Sequence, residues 1–145
     1  MDFFSSMRVS TSALNAHLVQ LNSITSNLAN TKTTRGAHSG PYLKKEVIFS
    51  AQVDRENFAE ILENEFDEHV QGVQVIEIIE NPKHLQKVYE PNHPDADSQG
   101  YITLPGINPV EEIANLITCQ RSYEANVTAL EASKSMYTKT LMVIG

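Results

Sequence analysis

Residues 108–143 read NPVEEIANLITCQRSYEANVTALEASKSMYTKTLMV, a stretch free of proline after Pro109 and free of glycine throughout. Asn108 supplies a helix cap, Pro109 suits the first helical position, and Glu111 stands where a carboxylate meets unpaired backbone N–H groups. A heptad seam follows at Ile113, Leu116, Gln120, Tyr123, Val127, Leu130, Lys134, Tyr137 and Leu141, with Gln120 and Lys134 as its polar exceptions. At about 1.5 Å per residue, residues 109–143 extend roughly 52 Å. A small globule cannot bury a helix of that length along its whole side, so part of the seam needs another helix or another copy.

The other end of the chain carries a matching element. Met7, Leu14, Leu21 and Leu28 recur at a spacing of seven, and Leu18 and Ile24 fill the second seam position. The opposite face is Ser, Thr, Asn and Gln, with Arg8 its only charge. Solvated helices usually carry Lys and Glu; small amides and hydroxyls instead allow close approach of neighbours and hydrogen bonds across them. An amphipathic helix in a bundle and an assembly helix share this pattern. In either case the two end helices can bury their seams only against each other or against further copies.

All six prolines lie between Pro41 and Pro109, and of the six glycines only Gly145 falls outside the span from Gly36 to Gly106. Punctuation confined to the middle argues against a β-sandwich and against regular βα crossovers. The middle reads as β-rich. Tyr42–Ser50, Val73–Glu80, Leu85–Glu90 and Tyr101–Leu104 have strand character, the third pairing with the second across Asn81-Pro82-Lys83. Near-helical spacing from Phe58 to Val70 suggests a short acidic helix over residues 55–69. The expected class is α+β: long N- and C-terminal helices forming a coiled-coil-like hairpin, with a small β-rich middle domain. The segments divide as 1–35, 36–107 and 108–145.

Charge and composition exclude several functions. The chain of 145 residues has a net charge of −7, and residues 50–100 alone hold 12 acidic against three basic side chains. Such a middle repels phosphate, so nucleic acid is not an expected partner. No apolar run is long enough to span a bilayer, and the N-terminus lacks the pattern of a cleaved signal peptide. Lone Cys119 excludes an internal disulfide and any cysteine-based zinc site. Catalysis has no foothold either. The five histidines are scattered, Ser5, Ser6, Ser10 and Ser12 have no partner base, and Glu63, Glu65, Asp67 and Glu68 suit a solvated face. Asp95, Asp97 and Gly100 match positions one, three and six of a calcium loop, but position twelve is Gly106, where a bidentate Glu is required. Turn chemistry explains them equally well. No catalytic residue, metal, cofactor or small-molecule substrate is expected.

Three stretches resemble one family. Ser12-Ala13-Leu14-Asn15-Ala16, Leu21-Asn22 and Ser26-Asn27-Leu28-Ala29-Asn30-Thr31 resemble the N-terminal signature of bacterial flagellar rod and hook proteins. Asn108–Ile113 and Gln120–Val127 resemble that family's C-terminal half, and Val88–Asp97 with Gly100-Tyr101-Ile102 is similar to its short proximal-rod members. The resemblance implies an axial structural protein that stacks helically with copies of itself and other rod proteins, its middle domain facing outward. It also implies export through the flagellar type III apparatus to a periplasmic rod, without membrane insertion. Its assembly surface would comprise Leu14, Leu18, Leu21, Asn27, Leu28, Ala29 and Asn30 on one helix. On the other it would comprise Ile113, Leu116, Tyr123, Asn126, Val127 and Leu130. Asn27 and Asn30 would satisfy backbone groups where the first helix ends.

Two other readings remain open at this level. A soluble coiled-coil adaptor would form a discrete dimer or tetramer with charges flanking its seam, and few such charges lie near the N-terminal stripe. A calcium-regulated binding module would centre on Asp95 and Asp97.

Overall fold

The cap written at Asn108 forms as its sequence dictates. Asn108 Oδ1 accepts the Val110 N–H at 3.1 Å, and the Asn108 carbonyl accepts the Glu112 N–H at 3.0 Å. A computed structural model describes residues 3–36, 40–53 and 70–144. Its elements are α1 (Phe3–Ala29), β1 (Lys44–Val53), β2 (Val70–Asn81), a 3-10 turn (Pro82–His84), β3 (Leu85–Tyr89), β4 (Tyr101–Pro105) and α2 (Pro109–Ile144). The architecture is α+β, with two long terminal helices and a small middle of two sheets. The acidic helix expected over residues 55–69 lies outside the described residues.

Helix α1 ends where side chains take over its carbonyls. Asn30 donates both its backbone N–H, at 3.1 Å, and its Nδ2, at 2.8 Å, to the Ser26 carbonyl. Thr31 Oγ1 donates to the Leu28 carbonyl at 2.7 Å. A helix without a glycine C-cap is thereby closed by Asn and Thr side chains.

Each sheet has two strands, β1 with β2 and β3 with β4. The sequence suggests β3 as the partner of β2, and here the structure differs. Asn81 Oδ1 accepts the Lys83 N–H at 3.0 Å, and the Leu85 N–H returns to the Pro82 carbonyl, closing a 3-10 turn rather than a hairpin over Asn81-Pro82-Lys83. Strand β3 instead runs antiparallel to β4, with Leu85 opposite Pro105 and Tyr89 opposite Tyr101. The connecting loop is held by Asp97, whose Oδ1 accepts the Gln99 N–H at 2.8 Å and the Tyr101 N–H at 2.9 Å. Gly100, at φ +82°, lies under the Tyr89 ring, which a Cβ there would approach to 2.9 Å.

The chain forms two compact units: Met1–Val19 with Ile48–Glu77 and Gln120–Gly145, and Gln20–Val47 with Ile78–Cys119. In the first, Phe4 and Tyr137 meet edge to face at 6.3 Å, and Ser12 Oγ accepts the Val73 N–H at 3.0 Å. Gly72 makes that approach possible, since a Cβ there would lie 2.2 Å from Ser12 Oγ. In the second unit the helices run antiparallel, because Gln20 meets Cys119 and Asn27 meets Glu112.

The buried apolar side chains among the described residues include Ala16, Ile24, Ile102, Ile107 and Cys119. Beside them Ser23, Asn27 and Glu112 are also buried. So the face that α1 turns inward includes its small polar residues, while Leu18 of the apolar stripe stays 44% exposed. Helix α2 does the same. Glu112 and Cys119 point inward with half-buried Leu116, and Val110, Ile113 and Ile117 are 75%, 45% and 47% exposed. At about 100° per residue these two sets lie on different sides of the helix, their centres roughly 130° apart.

Candidate functional site: a polar junction and an exposed helix face

Asn27 is the centre of the second unit's polar contacts. Its side chain is 1% exposed and uses all of its hydrogen-bonding capacity. Nδ2 donates to the Lys45 carbonyl at 2.9 Å and to Glu112 Oε2 at 3.2 Å. Oδ1 accepts from the Lys45 N–H at 2.8 Å and from the Tyr42 hydroxyl at 2.9 Å. The amide thus bonds both backbone groups of Lys45, as a neighbouring strand residue would, and docks the last turn of α1 onto the first residues of β1.

Glu112 completes the junction from the first turn of α2. It is 2% exposed, and Oε1 lies 3.0 Å from Lys44 Nζ while Oε2 accepts from Asn27. Both carboxylate oxygens therefore have partners, which a buried charge requires. The Lys44 site works against its charge by burial, but the hydrogen bond and proximity of Glu112 outweigh this and hold the ammonium pKa above its ordinary value. Burial likewise pushes the Tyr42 hydroxyl up, against the opposing effect of Ser26, whose Oγ lies 3.0 Å away. Cys119 Sγ meets Gln20 Oε1 at 3.2 Å, and burial pushes its thiol pKa up, which disfavours the thiolate.

A second contact ties the segment after α1 to the β3–β4 loop. Asp95 accepts from Thr34 Oγ1 at 2.7 Å and pairs with Arg35 Nε at 2.5 Å. Hydrogen bonds from the Tyr101 and Gln99 backbone, the former foremost, hold the Asp97 carboxyl below its usual range. The carboxylates that a calcium loop would need are engaged with the protein itself. Among the described residues no group of three or more His, Cys, Asp or Glu side chains could hold a metal ion. No described helix is long and apolar enough to cross a membrane.

Of the residues singled out from the sequence, Asn27 is buried, and Leu14, Leu21, Leu28 and Asn30 are half-buried. Leu18 and Ala29 are exposed. On α2, Leu116, Tyr123, Asn126, Val127 and Leu130 are half-buried and Ile113 is exposed. The structure brings Asn27 to Glu112, Tyr42 and Lys45, three partners that sequence reasoning passed over, and brings Lys44 to Glu112. A signal was present in the doubled Glu111-Glu112 at the capped start of α2. A helix turns only one of two adjacent residues inward, and that one needs a partner. Val110, Ile113 and Ile117 form an exposed apolar row on the first turns of α2; nearer its C-terminus Met136, Leu141, Met142 and Val143 are exposed, and Tyr137 meets Phe4. An apolar face turned to solvent beside a polar face turned inward is the reverse of a self-contained helix.

Two family models match the chain at its ends: flagella basal body rod protein over residues 7–37, and flagellar basal body rod FlgEFG protein C-terminal over residues 98–142. Flagellar basal-body rod protein FlgC of Bacillus subtilis is 39% identical over 150 aligned positions that cover 99% of each chain. FlgC of Borreliella burgdorferi is 35% identical with the same coverage, and FlgC of Salmonella typhimurium is 38% identical over 90% of this chain and 89% of its own. The matched ends contain the junction residues Asn27 and Glu112 as well as the outward row on α2. With that agreement from end to end, this chain belongs to the FlgC family of flagellar basal-body rod proteins.

Proposed function

We infer that this chain is a structural subunit of the bacterial flagellar basal-body rod, assembling with copies of itself and with other rod proteins into a shaft that carries torque from motor to hook and filament. The carrying observation is the exposed apolar row of α2, at Val110, Ile113 and Ile117. Burying a side chain of this size completely contributes roughly 1.5–3 kcal/mol, so repeated rows of three give a filament several kilocalories per contact. Segments 1–35 and 108–145 form the axial contacts, and segment 36–107 faces outward with most of the acidic charge. The subunit works by burying surface rather than by making bonds, and its route to the periplasmic rod is the flagellar type III apparatus.

Leu18 on α1 is likewise exposed. The reading is tested in a strain that lacks the gene. Loss of flagella with the basal ring intact, restored by the full chain, supports it. Normal swimming of the deleted strain rules it out.

A further inference from the structure

Lys44, Asn27 and Glu112 form a buried polar cluster that neither the fold class nor the assembly surface requires. A buried ion pair is a poor source of stability, because desolvating two charges offsets most of their attraction, and an apolar trio of equal volume is often as stable or more so. It does discriminate between alternatives. Displacing α2 along α1 by one turn, about 5.4 Å, would strand the Glu112 carboxylate and one Asn27 N–H without partners. The remaining helix contact offers little resistance to such a slip. The inward face of α1 here is Ser23, Ile24 and Asn27, and that of α2 is Leu116 and Cys119, a contact with only two large apolar side chains. Ser23 Oγ has no hydrogen-bond partner among the described residues, so it fixes no register either.

We propose that the Lys44–Asn27–Glu112 cluster is a register lock, setting the position of α2's first turn against the end of α1 and thereby the height along α1 at which Val110, Ile113 and Ile117 stand. Glu112 and Lys44, 2% and 15% exposed, are positioning residues that act through the row. This rests on the assembly role inferred above. Asn27 is the hinge of the lock, since its amide simultaneously holds the Lys45 backbone and the Glu112 carboxylate.

The test replaces both charges while keeping an acceptor for Asn27, as Lys44→Met with Glu112→Gln in the full chain, with Lys44→Gln and Glu112→Gln as a second, more polar pair. The expected result is a melting temperature within about 3 °C of the parent. Amide NMR cross-peaks of residues 20–47 and 78–119 double, and swimming in the deletion strain falls at least tenfold. A sharp drop in melting temperature in both pairs would show that the cluster stabilises the fold rather than selecting its register, overturning the proposal. So would unchanged melting, a single set of cross-peaks and full swimming. Failure of the unsubstituted chain to restore swimming would count against the assembly role instead, and the cross-peaks alone would then decide the lock.

Discussion

Replacing Asn27 by alanine removes four hydrogen bonds at once from a side chain that is 1% exposed. The Lys45 N–H and carbonyl, the Tyr42 hydroxyl and Glu112 Oε2 each lose a partner. A buried polar group left unpaired costs about 1–3 kcal/mol, but these four do not count equally. Lys45 and Tyr42 are half-buried, so water recovers part of the loss, and Tyr42 keeps its contact with Ser26. Glu112 is buried and keeps only Lys44. The sum falls at roughly 2–4 kcal/mol, a large share of the 5–15 kcal/mol that holds a typical domain. Urea denaturation followed by far-UV circular dichroism reads this as a lower midpoint at constant slope. Asn30→Ala provides the contrast, since Asn30 caps a helix end that is half-open to water and its loss is worth about 1 kcal/mol. A loss below about 1 kcal/mol for Asn27→Ala would refute the view that its amide organises the junction.

Two further outcomes follow from the same contacts. Gly72→Ala places a Cβ 2.2 Å from Ser12 Oγ at a φ of +140°, so it destabilises the chain by at least the 1–3 kcal/mol that such a backbone costs a non-glycine residue, read as a lower urea midpoint. Tyr42 and Lys44 both hold their protons more tightly when folded than at their ordinary values of 10.0 and 10.5. The folded state then binds more protons than the unfolded one as pH rises past about 10, so stability is full below that pH and falls above it, and Tyr42→Phe reduces the alkaline slope in thermal melts between pH 8 and 11.

The elements that the sequence disclosed are those written in local signals. Asn108-Pro109 and Glu111 mark the start of α2, and the breaker-free ends mark both helices, because caps and glycine or proline act within a turn of where they stand. What stayed hidden depended on contacts between distant segments. β3 lies close to β2 in sequence, and proximity suggested a hairpin, but Asn81 and Pro82 fold a 3-10 turn that frees β3 for β4. On the apolar seam of α2, Leu116, Tyr123, Val127 and Leu130 are half-buried while Ile113 and Gln120 are exposed, and the buried side chains are instead Glu112 and Cys119. Periodicity finds a hydrophobic stripe; it does not say whether that stripe serves the chain's own core or a neighbour. In this chain the small amides and hydroxyls of α1 favour a polar inner contact, and the apolar row of α2 is left exposed. Asn27 was legible as the end of a helix, but its partners Lys45 and Glu112, 18 and 85 residues away, were not.

The most direct measurement concerns the outward row itself. Ile113→Ser with Ile117→Ser alters two side chains that are about half exposed and bond nothing in the junction. The expected result is a melting temperature of the purified chain within about 3 °C of the parent, together with loss of flagella in the deletion strain carrying the doubly substituted gene. Full flagellation and swimming by that strain would contradict the role of α2's exposed face in building the rod.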